Sequence, residues 1–421
     1  MGAETLAATT WICRVGDTPG CLPCSVALES LPGNRLAAAW VETPTAGTGG
    51  YHHIRVGLSD DGGQSWAPST CAMHGLCPLW SPVLFYDPGK TGGNTAYRGL
   101  PGQARPAAAA EGRLLLFYSE SRKALCPGGD LKLIESCDHG ATWGAPLTLL
   151  THEAEDGVPK LLGGRVIETR DGGWILPFSR VPATSSIVSA PPVPAGAALD
   201  HGIASAGVLV SYDRGRCWRA CGRMCSEDGH ALVGGSVAEL APRPGRPVES
   251  RLLMIVRSAV SGLALQATSM NGGETWKAVR RAECQTAENS SSEEGCLEAT
   301  GDGTLPACSL TPFAHCKLSG GSSLVAVFCT STPMEVAGSV EAHARAGGAV
   351  MPPQLAFSND DGQTWKIERS LDITSMPEQS SGGECPPAGM VVAGEPEQGL
   401  SLLVGVVVEG LGLQLCRTNL R

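Results

Sequence analysis

The chain has 421 residues, among them 55 Gly and 30 Pro, so about one residue in five favours a turn. Only 17% are charged, and 31 basic against 41 acidic side chains give a net charge of −10. That balance argues against a nucleic-acid or anionic-membrane surface, no apolar run approaches the roughly 20 residues that span a bilayer, and 42% hydrophobic content is too high for disorder.

In chain order, strands are predicted at 24–31, 36–42 and 54–59, the last leading into Ser-Asp-Asp-Gly-Gly-Gln-Ser-Trp at 59–66. The same succession recurs at 106–111, 114–119 and 131–136, with a second motif at 136–143. It recurs at 164–169, 174–178 and 208–211 before a third motif at 211–218, and at 236–240, 252–258 and 263–269 before a fourth at 269–276. Strands at 308–317, 324–330 and 354–358 precede the fifth motif at 358–365. A sixth set, 387–392, 402–408 and 413–417, closes the chain without one. Three stretches break the rhythm, 182–199, 283–303 and 334–350, and read as surface loops because the strand pattern resumes on both sides.

The motif, Ser-x-Asp-x-Gly-x-Ser/Thr-Trp with Asn271 and Cys217 as variants, takes five of the nine tryptophans. Its Ser and Asp can accept from nearby backbone N–H groups and close a turn. Its Gly supplies a positive φ, and its Trp offers a large apolar face to a neighbouring sheet. Six copies of a three- or four-stranded unit predict an all-β fold, a six-bladed β-propeller occupying residues 1–421 as one domain.

The seventeen cysteines are odd in number and spread from Cys13 to Cys416, unlike a small secreted disulfide framework. Most read as buried free thiols, and Cys21 and Cys24 have redox spacing without a βαβ context. The start of the chain shows no basic n-region or apolar h-region, so a cytoplasmic location is the expectation. His52 and His53 open a strand without a third ligand at metal spacing, and read as surface. No phosphate loop or nucleophile elbow is present, and no cofactor is expected.

The motifs and the six-fold pattern resemble the sialidase superfamily of Asp-box propellers. Gly163-Gly164-Arg165-Val166-Ile167 followed by Gly173-Trp174-Ile175-Leu176-Pro177 is similar to that family's third blade. Val237-Ala238-Glu239-Leu240 followed by 252–258 is similar to its fourth, which carries one arginine of a carboxylate-binding triad. The resemblance implies a glycoside hydrolase acting on a terminal acidic sugar, in which three arginines clamp the carboxylate, a Glu-activated Tyr attacks and an Asp serves as acid and base. Arg257 matches the second arginine, and Glu42 matches a strand-end Glu that could replace the acid. Arg105 and Arg165, opening the first strands of blades two and three, are candidates for a basic channel lining. Glu239 neighbours the catalytic Glu position, which itself falls on Gly234.

Several positions depart from the pattern. Cys21-Leu22-Pro23 fills the first arginine's slot and Val350-Met351-Pro352 the third's. No carboxylate lies in 43–50, and no Tyr follows Tyr212, with Glu384-Cys385-Pro386 in the nucleophile's place. These departures leave a second reading open: a monomeric, catalytically silent propeller that binds an acidic glycan, a small anionic sugar or a protein on its channel face.

Overall fold

The computed structural model describes residues 8–45, 51–89, 112–122, 128–181, 204–225, 232–243, 250–258, 264–284, 313–318, 321–328, 354–371, 389–395, 399–408 and 411–420. They form six antiparallel sheets arranged as the blades of a propeller. Blade 1 is Cys21–Leu31, Arg35–Pro44, His52–Ser59 and Thr70–Gly75 from channel to rim, and blade 2 is Leu79–Asp87, Arg113–Glu120, Asp130–Ser136 and Leu147–Leu150. Blade 3 has a split inner strand, Lys160–Leu162 and Ile167–Glu168, followed by Trp174–Arg180, Ser205–Ser211 and Arg219–Met224. Blade 4 is Leu232–Glu239, Leu252–Ser258, Ala264–Ser269 and Arg280–Arg281. Blade 5 is Phe313–Leu318, Gly321–Phe328, Gln354–Ser358 and Thr364–Ser370, with Glu283–Cys284 added in parallel at its edge. Blade 6 is Gly389–Glu395, Gly399–Val408, Gly412–Leu420 and, from the other end of the chain, Ala8–Arg14. That last pairing closes the ring with backbone hydrogen bonds and leaves no open sheet between first and last repeats.

Two strand expectations are corrected. Blade 2 opens with Leu79–Asp87, so the stretch expected at 106–111 is not its inner strand; 106–111 and Arg105 lie outside the described residues. Arg165 does not open a strand but sits in the break of blade 3's inner strand. The glycines that cause this break, Gly163 and Gly164, bring blade 3 against Gly235 and Ser236 of blade 4, where a Cβ would collide.

All five motifs close the turn between the third strand and the rim of their blades, with one geometry. The Gly N–H donates to the Ser Oγ at 2.7–2.9 Å. The Ser hydroxyl donates to the Asp or Asn Oδ1 at 2.7–3.0 Å. The N–H of the seventh residue donates to the same oxygen at 2.8–3.0 Å, so Cys217 costs the turn no backbone bond. In the second motif the Thr142 hydroxyl also donates to Asp138 Oδ2 at 2.5 Å, and it, ahead of the Thr142 N–H and the Ser136 hydroxyl, holds the Asp138 carboxyl down at about 2. The fourth residue, whatever its type, is left-handed: Gly62, His139, Arg214, Gly272 and Asp361 all have φ between 58° and 72°.

Each motif tryptophan packs into the seam with the preceding blade. Trp66 lies against the cluster of Leu413, Leu415 and Trp40 between blades 6 and 1, and Trp143 against the seam of blades 1 and 2. Trp218 and Trp276 serve the next two seams, and Trp365, fully buried, lies between blades 4 and 5 among Leu253, Leu324 and Ala356. The seam of blades 5 and 6 has no tryptophan in its described core, which is Val325, Leu355, Leu402, Val404 and similar aliphatics. The cysteine expectation holds only in part. Of the ten described, none in a disulfide, Cys13, Cys221 and Cys416 are buried, whereas Cys71, Cys137 and Cys217 are exposed. No described helix is long and apolar enough to cross a membrane.

Candidate functional site

Strand polarity sorts the candidate residues along the axis. The motif turns mark one end, because Leu36 pairs with Ser59 and Leu252 with Ser269, the serines that open two of them. Glu42 pairs with His53 and Arg257 with Ala264, so both lie at the opposite, motif-distal end. Glu239 pairs with Leu252 and therefore lies at the motif end. There it accepts from the Arg170 backbone N–H at 3.1 Å and lies 3.6 Å from the Arg170 guanidinium, so it is a paired side chain. Burial is the largest influence on it and raises its carboxyl, against the pull of Arg170.

Glu42 and Arg257 share an end but not a pocket. Glu42 is on the face of its strand that carries Trp40, turned towards blade 6, and is 4% exposed. Its Oε1 accepts from Trp40 Nε1 at 3.2 Å and from Thr18 Oγ1 at 3.0 Å, while Oε2 lies 4.0 Å from Arg55. Arg257 is on the face that carries Leu253 and Ile255, turned towards blade 5. It is half-buried, and its buried Nε has no acceptor among the described residues. Four other cations at this end are committed. Arg180 donates to Glu155 at 2.5 Å, Lys132 pairs with Glu120, Arg122 with Asp130 and Glu153, and the buried Lys160 ammonium donates to the carbonyls of Thr151 and His152.

Arg165 is not with Arg257. It reaches across the channel from blade 3 towards blade 1, where its guanidinium lies 3.7 Å from Glu29. Glu29 is not among the candidates read from the sequence, although the one charged residue of an inner strand is the signal that could have found it.

The inner strands themselves are shaped at the motif-distal end. Bulges interrupt the pairing at Cys24/Val26, Trp80/Val83 and Val233/Ser236, with Ser25, Ser81 and Gly234 at φ of 56°, 48° and 67°. Such bulges re-aim side chains at a channel mouth and are retained where a site needs them. Beside the second, Trp80 Nε1 donates to Ser121 Oγ at 2.7 Å, which fixes the indole. Gly234, where the resemblance to sialidases would put a catalytic Glu, thus occupies a backbone conformation that a side chain rarely adopts. His53 meets Cys71 Sγ at 3.6 Å, and no group of three or more His, Cys, Asp or Glu among the described residues is placed to hold a metal ion.

The BNR repeat-like domain model matches residues 34–305, more than half of the chain. The chain belongs to this family. Its fold is that of a protein of unknown function from Dyadobacter fermentans DSM 18053, at 13% identity and a TM-score of 0.60 over 98% of both chains. The Hadza microbial sialidase Hz136 is similar over 95% of this chain and 66% of its own, at 15% identity and a TM-score of 0.59. The NanB sialidase of Streptococcus pneumoniae is similar over 98% of this chain and 70% of its own, at 13% identity and a TM-score of 0.53. No curated protein matches by sequence. The BNR repeats and these likenesses give the chain a sialidase-like propeller fold.

Proposed function

We propose that this propeller recognises an acidic glycan through Arg257 at the motif-distal end of its channel, and that it does so without sialidase-type turnover. The observation that carries the reading is Arg257 itself, a strand-held guanidinium with a buried N–H that no described residue accepts. A carboxylate is the group that a guanidinium fork binds best, and burial strengthens the pair. The sialidase names of the structural neighbours make a sialic acid the first ligand to try.

Three features speak against hydrolysis by the family's chemistry. Gly234 is left-handed where the activating Glu would stand. Cys21, Leu22 and Pro23 fill the slot of the first arginine. Glu42 is bound to Trp40 and Thr18 in the seam with blade 6, facing away from Arg257. The remaining positions, in 46–50, 350–352 and 384–386, lie outside the described residues.

The test is calorimetric titration of the full chain with N-acetylneuraminic acid and with glucuronic acid, beside a fluorogenic sialoside assay. The expected result is saturable binding of one acidic sugar, weakened roughly tenfold or more in Arg257→Ala, as loss of a charged hydrogen bond requires, with no release of the fluorophore. Binding of neither sugar would sink the recognition. Turnover abolished by Arg257→Ala would replace this reading with a glycoside hydrolase.

A further inference from the structure

We infer that the channel also holds a small anion, of the size and charge of a monocarboxylate, between Arg165, Ser236 and Glu29, and that Glu29 gains a proton when the anion binds. The three side chains come from blades 3, 4 and 1 and approach the axis in the motif-side half of the channel. Glu29 pairs with Ala37, next to the Leu36–Ser59 pair that marks the motif end. Arg257 faces the seam of blades 4 and 5 at the other end, so this is a second site.

Each member carries a buried polar atom that the described structure does not satisfy. Glu29 is 6% exposed; its Oε1 accepts from the Ser30 N–H at 3.2 Å, and its Oε2 has no hydrogen-bond donor. Arg165 comes to 3.7 Å of that oxygen, close enough for charge attraction but too far for a hydrogen bond, and its Nε is buried without an acceptor. Ser236 is 2% exposed with an unpartnered Oγ. Leaving such an atom unpaired costs the folded state its desolvation, and folded proteins keep few of them.

The backbone brings Ser236 against Gly164, the residue before Arg165. The Gly164 N–H donates to the Gly235 carbonyl at 2.5 Å, and a Cβ on Gly164 would come within 2.5 Å of Ser236 Oγ. Only the absence of that side chain lets the hydroxyl stand over the residue before Arg165. Two adjacent glycines in an inner strand weaken it, and here the weakening coincides with a polar approach between blades.

The chemistry of the set selects the ligand. Arg165 is a permanent cation with donors only, and the Ser236 hydroxyl can donate. Burial pushes the Glu29 carboxyl up to about 7 in spite of Arg165, which is the one charged group facing it among the described residues. In its acid form it is a third donor. Three donors around one fixed positive charge complement a monoanion. A cation would meet the guanidinium, and a dianion would bring a charge that nothing here balances. An anion beside ionised Glu29 would be repelled, so binding and protonation are linked.

Formate, ionised throughout the neutral range, is the probe. Calorimetric titration of the full chain, and of Arg257→Ala to remove the other guanidinium site, is expected to show saturable binding near pH 6 in both, with affinity falling by up to about tenfold per pH unit once the pH exceeds that of Glu29 ionisation. The heat should vary with the ionisation enthalpy of the buffer, reporting one proton taken up. Glu29→Gln keeps a neutral donor at every pH, so it should bind formate with the pH dependence gone. Arg165→Gln should lose roughly tenfold or more, and Ser236→Ala several-fold. Absence of formate binding by the folded wild type near pH 6, meaning that water alone serves these atoms, would overturn the inference. So would an unchanged pH slope in Glu29→Gln. Should Arg165→Gln not fold, undiminished binding by Ser236→Ala together with a flat wild-type pH profile would decide against it.

Discussion

Replacing Trp365 by Ala tests whether the motif tryptophans hold the blades together or merely decorate the turns. Trp365 is fully buried between blades 4 and 5, against Leu253, Ile255, Leu324, Ala326 and Ala356, and its Nε1 lies 3.4 Å from Gln266 Oε1. Truncating so buried an indole removes its apolar contacts and leaves a cavity, at a cost of about 4 kcal/mol. Unfolding entropy for a chain of this length is on the order of 0.9 kcal/mol per degree, so the melting temperature should fall by about 4–5 °C. Trp66 makes the equivalent contact between blades 6 and 1 but is partly exposed. Trp66→Ala should therefore lose roughly half as much. Scanning calorimetry of the two variants beside wild type reads both numbers. A Trp365→Ala protein that melts no lower than Trp66→Ala would refute the proposition that seam burial, and not membership of the motif, sets the contribution.

The seam of blades 5 and 6, with no tryptophan in its described core, should open first. Hydrogen exchange is expected to be faster in Gly399–Val408 than in Arg35–Pro44, and the reverse order would contradict this. Asp138→Ala should cost about 1 kcal/mol near neutral pH, comparable to the loss of a helix-capping acceptor. Because the folded Asp138 carboxyl titrates at about 2 against 3.8 when free, its contribution is present above 3.8 and lost as pH falls towards 2. Melting curves of wild type and variant should accordingly converge in acid, and a constant gap would be inconsistent with the cause given. Gly163→Ala would drive a methyl into the Gly235 carbonyl and should destabilise by about 1–3 kcal/mol, measured by denaturant unfolding. His139→Gly relieves a left-handed side-chain residue, and a clear loss of stability there would mean that its stacking on Tyr86 outweighs the strain.

The repeat was legible because a turn is local. Ser, Asp, Gly and Trp sit within eight residues, and their hydrogen bonds stay inside the turn, so the spacing alone carries the geometry. The second and third strands of each blade were legible for the same reason, as runs of alternating or continuous apolar residues bounded by turns. Strand assignment failed where the pattern was weak. The inner strand of blade 2, Leu79–Asp87, contains Pro82 and a bulge at Ser81, which disguise its period. The inner strand of blade 3 is two short pieces separated by glycines. Nothing local shows that Ala8–Arg14 pairs with Gly412–Leu420, because the pairing closes a ring across the whole chain.

The candidate site followed the same division. Sequence alone determined that this is a six-fold, motif-latched β fold, and it placed Arg257 near the end of a buried strand, where the resemblance to sialidases implies a carboxylate-binding arginine. Which residues share a pocket was decided only by the tertiary structure. Strand parity turns Glu42 into one seam and Arg257 into another, polarity sends Glu239 to the opposite end, and the Gly163–Gly164 break lets Arg165 cross the channel to Glu29. A repeat is written in neighbouring residues, but a channel is lined by six strands far apart in sequence, and their register against one another exists only once the ring has closed.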